Sequence, residues 1–173
     1  MNDVLDRAMG CLAGGAIGDA MGMPASFLSQ AQIRKTYGYI EDFLPPAPGA
    51  KAHLELGEGE TTDDTYETMI VARVLIEKGR FDAPTFGRLM KEWALEKNML
   101  ESDLIGPSTR RFLTALIEGR DPSEGAGEGD TNGSAMRAAP LGIFYHGDLE
   151  ACRREALKSS QPSHGSASAC AAC

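Results

Sequence analysis

The chain has 173 residues, enough for one domain with a buried core, and its 42% hydrophobic but only 6% aromatic content reads as soluble and helix-rich. Lys and Arg total 17 against 25 for Asp and Glu, a formal charge of −8 that argues against general affinity for nucleic acid or anionic membranes. No stretch reaches membrane-spanning length and the start, MNDVLDRAMG, lacks the basic-then-apolar order of a signal peptide. A cytoplasmic protein with no membrane or nucleic-acid partner and reduced cysteines is therefore expected.

The first predicted helix runs from about Val4 to Met21. Val4, Leu5, Ala8, Cys11, Leu12 and Ile17 recur at helical spacing and Asp3 offers a cap. Glycines at 10, 14, 15, 18 and 22 weaken it, and close approach of another backbone is the expected reason to tolerate them. Asp19 either satisfies backbone donors at the helix end or points into a site there. After Pro24, a short helix is expected from Ser29 or Gln30 to Tyr37, then a turn-rich loop from Leu44 to His53 with a solvated histidine.

The most informative stretch is Gly57 to Thr68, GEGETTDDTYET, just before the apolar run Met69 to Ile76. Thr61 or Thr62 can cap a helix, acids in its first turn meet the positive end of the backbone dipole, and Gly79 stops it. Adjacent Asp63 and Asp64 beside hydroxyls go further, because neighbouring carboxylates repel unless water or a cation lies between them. On residues alone, a capped and solvated acidic turn and a site for Mg²⁺ or Mn²⁺ both stand.

A helix capped by Asp82, with Pro84 in its first turn, carries an apolar stripe of Phe86, Leu89, Met90 and Trp93 that reads as core. Another follows Gly106-Pro107-Ser108 and ends at Gly119. The glycine-rich loop from Glu124 to Arg137 exposes backbone amides, and Ser134 is expected to begin a short helix whose N–H groups suit an anion. Asn132, Ser134 and Arg137 form a polar knot ahead of an apolar run, either a site or a structural network. Asp148 caps a helix through Lys158, and His164 precedes a last alanine-rich helix holding Cys170 and Cys173, a lone CxxC that is a weak signal for zinc or redox chemistry. No segment alternates as a strand should, so an all-α chain is expected, and its abrupt alanine-rich close suggests an incomplete domain.

GAIGDAMGMP at 15 to 24, GETTDDT at 59 to 65, GPSTRRFL at 106 to 113, GDTNGSAMRAAPLGIF at 129 to 144 and SHGSASACAA at 163 to 172 resemble, in order and spacing, the successive motifs of the ADP-ribosylglycohydrolases. The resemblance covers the whole of residues 1 to 173 and implies a single all-α domain, an orthogonal helical bundle truncated at its C-terminus. It implies a pair of divalent cations, Mg²⁺ or Mn²⁺, and ADP-ribose or an ADP-ribosylated protein as partner. Thr62, Asp63 and Asp64 match metal ligands, with Asp63 and Asp64 the catalytic candidates. Gly106, Pro107, Ser108, Asn132, Gly133, Ser134 and Met136 match loops around ADP-ribose, and His164 matches a histidine of the substrate cleft. Ser26 stands where many members carry Glu, and no second paired-Asp motif occurs. The implied activity is hydrolysis of the bond from ADP-ribose to a side chain or related conjugate; the alternative is a non-catalytic ADP-ribose binder or a crystallin-like structural relative.

Overall fold

The computed structural model describes residues 3–173. Among the described residues there are eight α-helices, two short 3-10 turns and no strand, in accord with the all-α expectation. The helices are α1 (Asp3–Gly22), α2 (Gln30–Thr36), α3 (Asp63–Lys78), α4 (Ala83–Glu96), α5 (Pro107–Glu118), α6 (Ala139–Phe144), α7 (Leu149–Ser160) and α8 (Ala167–Ala172). No described helix is long and apolar enough to cross a membrane. The chain divides into two compact units, Met1–Tyr66 and Glu67–Cys173, with the boundary inside α3.

In the first unit, α1 is the expected long helix, but Asp3 lies within its first turn and pairs with Arg7 at 2.7 Å instead of capping it. Crowding does not explain its glycines, because a Cβ at Gly10, Gly14, Gly15, Gly18 or Gly22 meets nothing within 4 Å. Val4, Leu5, Met9 and Ile17 are exposed, and only Ala20 of this helix is fully buried. The turn Met23–Ala25, led by Pro24, ends the run, and Ser29 starts α2 through a full capping box with Gln32. The loop histidine departs from expectation. His53 is buried, with φ 61, and its ring lies 6.5 Å from that of Phe27, itself at φ 60. Two side chains holding left-handed backbone and packing on each other make this an ordered loop, not a solvated one.

The second unit holds the apolar core. Val71, Val74 and Leu75 of α3 join Phe86, Leu89, Met90 and Trp93 of α4 and Phe112 and Leu113 of α5, with Leu141 and Ala156 closing the cluster. Phe86 stands between Phe81 and Phe112, with ring centroids 5.5 and 5.8 Å away. Each fully buried side chain of this size contributes roughly 1.5–3 kcal/mol by leaving water. Local chemistry sets the helix ends as expected. Asp82 accepts from Thr85 N–H at 3.1 Å, Asp148 accepts from Ala151 N–H at 2.9 Å, and α5 stops at Gly119 with φ 73. Thr85's hydroxyl and N–H hold the Asp82 carboxyl below the usual carboxylate range.

Candidate functional site

The start of α3 gathers the acids that the sequence singles out. Thr62 occupies the cap, its hydroxyl accepting from Asp64 N–H at 3.2 Å. Asp19, at the far end of α1, reaches across 43 positions of sequence to the same spot: it accepts from Thr62 N–H at 2.9 Å, from the Thr62 hydroxyl at 2.8 Å and from the Thr65 hydroxyl at 2.6 Å. Both readings of Asp19 therefore hold together, since it satisfies a backbone donor and faces the acidic stretch. The Thr62 hydroxyl also lies 3.1 Å from Asp64 Oδ2, so its single proton serves one of two carboxylates at a time. Asp63, the first residue of α3, is buried, and Asp64 is half-buried.

The electrostatics follow from that crowding. Burial pushes the Asp64 carboxyl up, the Asp19 charge adds to it, and the Thr62 hydroxyl, the local N–H and His53 oppose the rise. A cation at this place would relieve the same repulsion. The donors are oxygens only, which suits a hard divalent ion and not a thiolate- or imidazole-seeking one. The set is small, for among the described residues no group of three or more His, Cys, Asp or Glu is disposed to hold a metal. Thr62, Asp64 and Asp19 bring their side-chain oxygens together at the start of α3.

Within residues 67–173 the glycine-rich loop and the late histidine are knitted together. Gly165 N–H donates to Ala126 O at 2.7 Å and Ser166 N–H to Gly129 O at 3.4 Å. A Cβ on Gly129 would fall 2.4 Å from Ser163 O, and one on Gly133 would fall 2.6 Å from His164 Nε2, so both positions require glycine for closeness rather than for flexibility. His164 is buried, with Nδ1 2.8 Å from Ser163 Oγ and Nε2 3.1 Å from Thr131 Oγ1. Burial and the nearby Arg137 and Arg111 charges push its pKa down to about 4, so the ring is neutral at pH 7.

Other candidates sit less as loops than expected. Ser134 does not begin a helix. Residues 133–137 form turns, regular helix resumes at Ala139, and the buried Ser134 hydroxyl accepts from Ser160 Oγ at 2.8 Å. Asn132 is exposed and its carbonyl accepts from Ala135 and Met136 N–H at 2.9 and 3.1 Å, while Met136 O accepts from Thr68 Oγ1 at 3.3 Å. Gly106 caps α5, Pro107 is its first residue, and Ser108 is buried with its hydroxyl accepting from Arg111 at 3.4 Å. Arg137 is fully enclosed and pairs with Glu67, which was not singled out for this because the partners lie 70 positions apart. Ser134 and Arg137 thus take part in a structural network.

The family model described as ADP-ribosylglycohydrolase matches residues 1–173. An uncharacterised protein of Archaeoglobus fulgidus is 38% identical over 159 residues, covering 92% of this chain and 50% of its own length. A protein of Pseudomonas putida named ADP-ribosylarginine hydrolase Tri1 is 32% identical over 179 residues, covering 98% of this chain and 44% of its own. A solved structure described as an ADP-ribosylglycohydrolase-related protein complex superposes with a TM-score of 0.77 at 27% identity, over 99% of this chain and 53% of that one. The chain spans about half the length of the curated relatives it matches. ADP-ribosylglycohydrolases use divalent metals, which accords with the oxygen-only donors at the start of α3. With its motifs in order along the full match and its helices on the same fold, this chain belongs to the ADP-ribosylglycohydrolase family.

Proposed function

We propose that the chain serves a metal-dependent hydrolase that cleaves the glycosidic bond between ADP-ribose and a modified protein side chain or a related conjugate. The observation that carries this reading is the convergence of Asp19, Thr62 and Asp64 oxygens at one helix start, with the Asp64 carboxyl held above its ordinary range by burial and by a second acid. Thr62, Asp63 and Asp64 would hold Mg²⁺ or Mn²⁺, and a bound cation there supplies charge that orders sugar hydroxyls and acidifies water. Asp63 or Asp64 positions the attacking water and offsets positive charge as it develops at the anomeric carbon. Gly106, Pro107, Ser108, Asn132, Gly133, Ser134, Met136 and His164 are the candidate ADP-ribose contacts. The name of the Pseudomonas relative makes the arginine N-glycoside the first bond to assay.

The test pairs binding with turnover. Calorimetry of the full chain with Mn²⁺ or Mg²⁺ is expected to show binding that Asp63→Ala and Asp64→Ala abolish, with parallel loss of ADP-ribose release from modified arginine. Unchanged release in both folded variants removes these acids from the mechanism. One observation favours a non-catalytic binder instead, namely that no described group of three or more acid, His or Cys ligands is disposed to hold a metal. On that reading ADP-ribose binds without added cation and no release is seen.

A further inference from the structure

We propose that Arg137, Ser163, His164 and Thr131 form a one-way hydrogen-bond chain that presents the Thr131 hydroxyl as a donor to a phosphate oxygen of the ligand. The ligand's identity as ADP-ribose rests on the function proposed above; the direction of the chain does not.

The direction follows from what each group can donate. Arg137 is fully enclosed, its charge met by Glu67 and its guanidinium carbon Cζ 4.7 Å from the Phe86 ring centroid. A guanidinium only donates, so where Arg137 Nη2 lies 2.8 Å from Ser163 Oγ the serine accepts. Ser163 is 2% exposed, out of reach of water, and among the described residues its hydroxyl proton has one acceptor within hydrogen-bond distance, His164 Nδ1 at 2.8 Å. That nitrogen is therefore unprotonated, and the neutral ring carries its proton on Nε2. Nε2–H donates to Thr131 Oγ1 at 3.1 Å, which leaves the hydroxyl proton of this exposed threonine directed outward.

Two further features support the assignment. Burial and the Arg137 charge disfavour the imidazolium, so the one-proton ring is the form present near neutrality. Gly133 keeps the Nε2 edge clear, since any Cβ there would fall 2.6 Å from that nitrogen. A chain of donors all aligned one way polarises each successive bond and ends in a hydroxyl strengthened as a donor, which suits the acceptor-only oxygens of an ionised phosphate. In this chain of bonds His164 positions Thr131 and does not act as a base, and Thr131 adds one contact to those proposed above.

The chain is tested by NMR of the full chain carrying ¹⁵N-labelled histidine, together with titrations of ADP-ribose and of inorganic pyrophosphate. The wild type is expected to show the Nε2–H tautomer of His164; an Nδ1–H tautomer overturns the proposal whatever the protein binds. Substituting Arg137 would remove the ion-pair partner of the buried Glu67, so the link is cut at Ser163→Ala, which is expected to lose the fixed tautomer, while Ser163→Thr keeps it. A tautomer unchanged in the folded Ser163→Ala variant overturns the role of the serine. Thr131→Val is expected to weaken binding about tenfold, the worth of one charge-assisted hydrogen bond, with the tautomer retained and Thr131→Ser near wild type. Equal binding by Thr131→Val, or no binding of either probe by the wild type, overturns the presenting role. Pyrophosphate binding that is lost in Thr131→Val without ADP-ribose binding supports the chain and counts against the hydrolase reading.

Discussion

At the scale of single residues, the shifted proton affinities of His164 and Asp64 have opposite consequences for stability. His164 is lowered to about 4, so between roughly 6.5 and 4 the unfolded chain binds a proton that the folded one refuses. Its contribution is complete above pH 6.5 and is lost as pH falls toward 4, by on the order of 3 kcal/mol at most. Asp64 is raised, so the folded state takes its proton first and gains stability as pH falls through that raised value. Urea unfolding from pH 7 to 4.5 is expected to show a steeper loss in the wild type than in His164→Gln. Parallel slopes would mean that the buried ring titrates normally. Asp19 belongs to this scale too, for Asp19→Ala strands the Thr62 N–H and the Thr65 hydroxyl, leaves the Thr62 hydroxyl to Asp64, and is expected to cost about 1–3 kcal/mol in the same unfolding experiment.

At the scale of helices and turns, the glycines divide into those that space demands and those that it does not. Gly129→Ala drives a Cβ to 2.4 Å from the Ser163 carbonyl, a backbone atom that cannot swing aside, and is expected to cost about 1–3 kcal/mol. Gly14→Ala meets nothing within 4 Å and is expected to stabilise α1 by up to about 1 kcal/mol, read as a rise in thermal midpoint. A fall at Gly14→Ala would show that something outside the described residues lies against the helix. The same division marks what the sequence made legible. Asp82 with Pro84, Asp148, Ser29 and Gly119 act within a few positions of themselves, and each was readable because a cap and its donor travel together. Asp19 with Thr62 and Glu67 with Arg137 are separated by 43 and 70 positions, and no local pattern encodes such meetings. The burial of His53 is not legible locally, because burial of a loop residue depends on the partner that covers it, here including Phe27. Ser134 departs from the expected helix start because its hydroxyl meets Ser160, 26 positions on, rather than capping its own turn.

At the scale of the molecule, apolar burial is unequally shared. Among the described residues of Met1–Tyr66 the fully buried apolar side chains are small apart from Met23 and Pro24, whereas Glu67–Cys173 contains three buried phenylalanines, Trp93 and a run of Leu, Val and Met. Local opening follows the density of such contacts. Hydrogen exchange is expected to be slowest in α4 and α5 and faster in the first half of α1, where Val4, Leu5 and Met9 are exposed. Equal protection in the two regions would refute that ordering. The enclosed Glu67–Arg137 pair carries one more consequence, for the response to ionic strength. Both side chains are 0% exposed, so counterions cannot approach them, while Arg73–Glu77 and Arg88–Glu92 stand in solvent, where screening acts over about 8 Å at physiological salt. Sodium chloride will loosen the outer pairs and quiet the mutual repulsion of a chain at −8, yet leave the interior pair at full strength, so that a salt titration reads the skin of this protein and is blind to its centre.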